Sequence, residues 1–237
     1  MTTLELIQVI LFLVLLIGLT PLLGNYMYNV FSPGKPVTYP VLGWLERLAY
    51  KTGGIDPDSG QNWKSYTFDL LIFNFIGFLF LFLIQLLQHH LPLNPANLPA
   101  VSWHSALNTA ISFMTNTNWQ GYAGETTLSY FVQMAGLTVQ NFVSAATGIA
   151  VMLALLRGLS GKTTANLGNF RVDLTRSTIY VLLPLSVILA VVLTGQGVIQ
   201  NFHAYRSVQT LAGQTQVIPM GPAASQIAIK QLGTNGG

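Results

Sequence analysis

Thr115-Asn116-Thr117-Asn118-Trp119-Gln120-Gly121 is a run of small and amide side chains lying between two long apolar segments. Thr, Asn and Gly are weak helix formers that suit irregular backbone. The preceding segment, Ser102 to Met114, is long enough for only a few helical turns. The pattern predicts non-helical backbone dipping into a membrane, with its carbonyls lining an ion path. Gly233-Thr234-Asn235-Gly236-Gly237 repeats the design after a second short helical segment, and Thr117-Asn118 and Thr234-Asn235 are the shared pair.

Composition supports a membrane setting. The 237 residues are 51% hydrophobic and only 7% charged, against about 25% charged in soluble chains. Net charge is +3, and the basic residues do not cluster with aromatics as nucleic-acid binding requires. Cysteine is absent, which excludes disulfides and thiolate metal sites. Four segments reach the ~20 apolar residues needed to span a bilayer: Leu4–Leu23, Phe68–Gln88, Tyr130–Leu156 and Thr178–Ile199. The first lacks the basic start of a signal peptide, so it reads as a retained helix. Pro184 is expected to kink the fourth.

Loop charges predict the orientation. Lys35, Arg47, Lys51 and Lys64 lie between the first two spans, and Arg157, Lys162, Arg171 and Arg176 between the last two. No Lys or Arg occurs from His89 to Ser129. The basic sets then face the cytoplasm, and the N-terminus, the His89–Ser129 connection and the tail face outward. Leu42–Tyr50 reads as an amphipathic surface helix with Trp44 and Tyr50 at the interface. Asp56 and Asp58 lack the Gly and Glu spacing of a calcium loop and read as a solvated turn.

In the outward connection, Pro92, Pro95 and Pro99 keep Leu91–Ala100 extended. Ser102 is placed to cap a helix over Trp103–Met114. Such a helix spans about 18–20 Å, too little for a core of about 30 Å. Irregular backbone survives at that depth only inside protein or against water, so the stretch reads as a pore loop; a surface helix with an ordinary loop is the other reading. Pro222 and Gly233 frame a second short helix, Ala223–Leu232, and this repetition favours the pore reading. Gln133, Gly136, Gln140, Ser144 and Thr147 are spaced 3, 4, 4 and 3 apart. They predict one polar face of the third span, turned to the pore or to helix–helix hydrogen bonds. Lys230 in the second short helix is expected either to hold carbonyls or a carboxylate, or to limit ion occupancy. His89, His90 and His104 form no zinc pattern, and no P-loop or nucleophile elbow occurs. Glu125 is read as a cap for the third span or an attractor of cations.

Thr115 to Tyr122 and Ala228 to Gly237 resemble the first two selectivity-filter loops of the potassium-transporting ATPase A chain of bacteria. Glu46-Arg47, Asp56-Pro57 and Gln61-Asn62-Trp63 resemble its first cytoplasmic loop. The resemblance covers the whole chain. It implies an all-α integral membrane fold of helix–pore-loop–helix units, four in the family, after one extra N-terminal helix. The implied division is 1–23 extra helix, 24–67 cytoplasmic loop, 68–157 first unit, 158–177 second loop and 178–237 second unit. The second unit stops within its filter, so a truncated chain is expected. The resemblance implies a non-catalytic subunit that binds and translocates potassium from the periplasmic side in a bacterial inner membrane. ATP hydrolysis falls to a P-type B subunit, with C and F subunits as further partners. Filter positions map to Thr115, Asn116, Thr117, Asn118, Trp119, Gln120 and Gly121, and to Thr234, Asn235, Gly236 and Gly237. Pairing the Thr-Asn motifs sets Gln120 opposite Gly237. Potassium is the transported substrate, no cofactor is expected, and lipid is the surrounding partner. A secondary potassium symporter of the same superfamily and a non-transporting scaffold are the alternatives.

Overall fold

The computed structural model describes residues 2–161 and 166–235, so Lys162, Gly236 and Gly237 lie outside the described residues. Four helical stretches among the described residues are long and apolar enough to cross a membrane: Thr3–Phe31, Trp63–Leu86, Val132–Ser160 and Phe170–Gly195. Helix α1 (Thr3–Phe31) starts from a capping box in which Thr2 and Glu5 exchange hydrogen bonds. It runs through Pro21 and eight residues past the expected end at Leu23. No residue of its most apolar stretch is buried among the described residues. An all-round apolar surface of that length is stable only in an apolar solvent such as lipid.

The end of α1 is where it docks. Val30 is fully buried against Ile179, Tyr180 and Val181 of the fourth span, with Tyr26 and Met27 alongside. Proline removes a helical donor, and the carbonyl four residues before Pro184 belongs to Tyr180. The Tyr26 hydroxyl donates to that carbonyl at 2.5 Å. Helix α2 (Tyr39–Gly53) covers the same region and is longer at both ends than Leu42–Tyr50. Its Glu46 accepts from Tyr50 at 2.8 Å, Arg176 at 2.9 Å and Tyr180 at 2.7 Å. Burial raises the Glu46 carboxyl pKa, but these three donors outweigh it and leave the pKa below the usual value.

Helix α3 (Trp63–Leu86) is capped by Asn62, which accepts from the amides of Lys64 and Ser65. Near its start, the Tyr66 hydroxyl donates to the Ala150 carbonyl and to Asp173, which also pairs with Arg157. Charges near an apolar bundle are stable when paired in this way. At its other end, α3 meets the half-length helix α4 (Trp103–Met114). Leu81 and Ile84 pack against Ala106, Ala110 and Phe113, and against Leu128, Val132 and Leu137. So α4 lies within the bundle rather than on a surface. Ser102 stands at its N-cap but makes no side-chain cap bond; its hydroxyl contacts His104 at 3.3 Å. Glu125 opens a single helical turn, α5 (Gly124–Thr127).

The third span opens with a π-helical stretch, Val132–Thr138, and continues as α6 (Val139–Ser160). The fourth is α7 (Phe170–Arg176), a π-helical stretch over Ser177–Leu182, and α8 (Leu183–Gly195). Pro184 lies inside the continuous helical stretch Phe170–Gly195, directly after the π-helical turn, so its missing N–H is accommodated there and not at a helix start. A two-stranded hairpin, β1 (Arg206–Gln209) and β2 (Thr215–Ile218), has no counterpart in the sequence reading. It leads to α9 (Ala223–Leu232), which packs along α8. The short helices begin differently: Val101 N, two residues before α4, donates to Gln85 O inside α3, whereas Ala224 N, in the first turn of α9, donates to Ile199 O, four residues beyond α8.

Candidate functional site

The two short helices end with the same bonds. After α4, Thr115 N reaches Ile111 O at 3.0 Å, Asn116 N reaches Phe113 O at 3.4 Å, and Thr117 N reaches Ser112 O at 2.9 Å. After α9, Gly233 N reaches Ile229 O at 2.9 Å, Thr234 N reaches Gln231 O at 3.3 Å, and Asn235 N reaches Lys230 O at 3.1 Å. Each set steps back four, three and five residues. The middle residue is left-handed in both: φ is 60° at Asn116 and 55° at Thr234. The backbone therefore matches Asn116 with Thr234 and Thr117 with Asn235. That differs by one residue from pairing the Thr-Asn motifs, because helix termination, not side-chain identity, sets where each loop begins.

In this register Lys230 matches Ser112. Both carbonyls cap a loop amide, so part of Lys230's role is carried by its main chain. The side chains differ. Ser112 Oγ accepts from Trp119 N at 2.6 Å, which folds the first loop back onto α4. Lys230 is half-buried beside a cavity that Thr117, Asn118 and Gln120 also line. Below Ser112, Tyr122 ties the returning limb to the bundle, its hydroxyl 3.0 Å from Thr109 and donating to Gln85 at 3.2 Å. Ser112 and Gln85 were not singled out by sequence, although a Ser one turn before a polar run is a visible signal.

The loops divide two cavities. One, of about 570 Å³, is lined by Thr115, Asn116, Ser144, Thr147, Gly233 and Thr234, together with apolar side chains of α3 and α6. The other, of about 390 Å³, is lined by Thr117, Asn118, Trp119, Gln120, Gln133, Asn141, Lys230 and Asn235. Among the described residues the carbonyls of Asn116, Thr117 and Asn118 take no hydrogen bond. Main-chain carbonyls left free beside cavities are the groups that replace the water shell of a monovalent cation. Asn116 and Asn118 both hold left-handed backbone, which asparagine tolerates better than most residues.

The polar series of the third span is divided. Gln133 lines the smaller of these two cavities and donates to the Leu128 carbonyl at 3.2 Å. Gly136 lies against Leu81 and Ile84 of α3, and Gln140 against Gly77 of α3. Ser144 reaches the first loop, and Thr147 lines the larger of the two cavities while donating to the Val143 carbonyl. The π-helical stretch widens the turn between Gln133 and Gln140 and breaks the 3.6-residue spacing.

Two half-length helices, each returning along a membrane-length helix and ending in an irregular polar loop, define an all-α integral membrane protein of helix–pore-loop–helix units. The chain belongs to the family of the potassium-transporting ATPase A subunit, whose family model matches residues 10–237. It is similar to proteins named as the potassium-binding subunit of that ATPase. The relative from Pseudomonas fluorescens is 58% identical over 92% of this chain and 38% of its own length. Those from Pseudomonas aeruginosa and Rhodospirillum centenum are 55% and 57% identical, over 98% and 100% of this chain and 41% of their own lengths. The chain spans about two fifths of the length of these relatives.

Proposed function

We propose that this chain carries part of the potassium-selecting pore of an ATP-driven uptake complex. The observation that supports it most is the pair of loops with one cap geometry, standing between two cavities, with the carbonyls of Asn116, Thr117 and Asn118 in the first loop free of hydrogen bonds among the described residues. In this reading Thr115–Gly121 and Thr234–Gly237 strip potassium of water and offer main-chain oxygen instead. The ion enters from the periplasmic side. The chain hydrolyses nothing itself; ATP is spent in a P-type B subunit, and C and F subunits complete the assembly. The basic loops at Lys35–Lys64 and Arg157–Arg176 face the cytoplasm of a bacterial inner membrane, with the N-terminus in the periplasm. The division follows the same logic: residues 1–23, 24–67, 68–157, 158–177 and 178–237 are extra helix, loop, first unit, loop and second unit.

Gln120→Arg in the full-length subunit, assembled with its ATPase and reconstituted in vesicles, tests this reading. A cation at the smaller cavity, which Gln120 lines, repels the incoming ion. A pair of charges 4 Å apart costs about 4 kcal/mol at an effective dielectric of 20, so the potassium KM rises at least about tenfold. Unchanged KM and selectivity would remove Gln120 from the filter, and uptake without the ATPase subunit would favour a symporter.

A further inference from the structure

We propose that Asn116, Ser144 and Asn235 form a clasp that fixes the separation of the two loops and so sets the ion size they accept. This rests on the filter reading above and assigns these three side chains to positioning rather than to ion contact. The Asn116 Oδ1 atom is the centre. It accepts from Ser144 Oγ at 2.9 Å, from Asn118 Nδ2 at 3.4 Å, and from Asn235 Nδ2. The Asn116 Nδ2 atom donates to the Gly233 carbonyl at 3.4 Å. Asn235 Nδ2 also reaches Ser144 Oγ at 3.3 Å. One amide thus joins the first loop, the second loop and the third span. Asn235 and Ser144 are 1% and 4% exposed, so water does not compete for these bonds.

The clasp sits at matched heights, beside Asn116 and its backbone equivalent Thr234. Side-chain bonds there act directly on the distance between carbonyls of neighbouring loops. Binding constellations must hold within about 0.5 Å to keep their specificity, and a cation's carbonyl cage is no exception.

Gly233 supplies an independent sign. Its φ of −73° is open to any residue, so backbone conformation does not call for glycine. Space does. A Cβ there would collide with Asn235 Oδ1 and lie 2.9 Å from the Asn141 carbonyl. The matched position in the first loop is Thr115, which carries a full side chain. Glycine stands at 233 where the Asn235 amide folds inward to reach Asn116.

The experiment compares potassium, rubidium and sodium uptake by the full-length complex carrying Ser144→Ala, Ser144→Thr, Asn235→Leu, or Ser144→Ala with Asn235→Leu. Asn235→Leu removes the bridging donor, and the ratio of potassium to sodium kcat/KM falls about tenfold, equivalent to about 1.4 kcal/mol. Ser144→Ala lowers that ratio about threefold, and Ser144→Thr, which keeps the hydroxyl, restores it. The double variant loses less than the product of the single losses, since both act through one acceptor. The clasp is overturned if the ratio is unchanged in Ser144→Ala and Asn235→Leu, or if KM rises by one factor for all three ions. Should Asn235→Leu not assemble, the Ser144 pair decides. Wild-type complex and Gln120→Arg run in parallel: if they behave as a filter while the clasp variants retain selectivity, only the clasp falls. If wild type shows no potassium selectivity, the filter reading falls as well.

Discussion

The first loop, Thr115–Gly121, and the second, entering at Gly233, leave their helices by one hydrogen-bond pattern and are held by different means. The first is folded back on its own helix: Ser112 receives four donors, Thr117 N, Asn118 N and Thr115 Oγ1 on its carbonyl and Trp119 N on its hydroxyl. The second has Lys230 at the equivalent place and leans on its neighbour, through Asn235 to Asn116 and Ser144. The first loop is thus braced mainly by its own helix, while the described residues of the second share Asn116 and Ser144 with the first loop and the third span. A repeated unit need not repeat its supports, because a surface available to one copy is already occupied for the other.

Three tests break or sharpen this contrast. The largest effect belongs to Gly233→Ala set against Thr115→Ala. The new methyl group displaces the Asn235 amide, and burying an unpaired amide costs about 1–3 kcal/mol. Potassium selectivity in reconstituted vesicles therefore drops about tenfold for Gly233→Ala. Thr115→Ala loses only bonds to its own helix and to Thr117, and selectivity stays within about twofold, a few tenths of a kcal/mol. Equal losses at both positions would erase the asymmetry.

Ser112→Ala comes next. It orphans the Trp119 amide at a cost of about 1–3 kcal/mol. Hydrogen exchange should quicken in residues 117–121 while residues 223–235 keep their protection. Acceleration in both loops would show that the first is not braced mainly by its own helix.

The smallest effect is Thr234→Asn. A β-branched residue at a φ of 55° is strained, and asparagine relieves it, raising thermal stability by about 1 kcal/mol. The reciprocal Asn116→Thr loses the clasp as well as the left-handed preference and must destabilise. Stabilisation by both exchanges would show that the two left-handed positions are interchangeable.

How far the site was legible follows from the same residues. The loops were visible because Thr, Asn and Gly interrupt apolar sequence after half-length helices. Their register was not, because Thr117-Asn118 and Thr234-Asn235 match as letters while the backbone matches Asn116 with Thr234. The polar series from Gln133 to Thr147 was visible as composition. Its division between α3 and the loops was not, because a π-helical stretch cannot be read from a 3.6-residue count. The hairpin at Arg206–Ile218 was also missed, its strands being four residues each and exposed.

By itself the sequence determined the solvent and the architecture. Four long apolar segments require lipid, and two short helices with polar ends cannot cross it. Those are consequences of length and transfer free energy, which neighbours in space do not alter. Only the tertiary structure decided which atoms meet: that Asn116 serves both loops, that Gly233 is bare for Asn235, and that Gln140 turns to α3 while Ser144 turns to the loops. Such contacts depend on a few tenths of an ångström of packing and on where each helix ends, and no local pattern of residues encodes either.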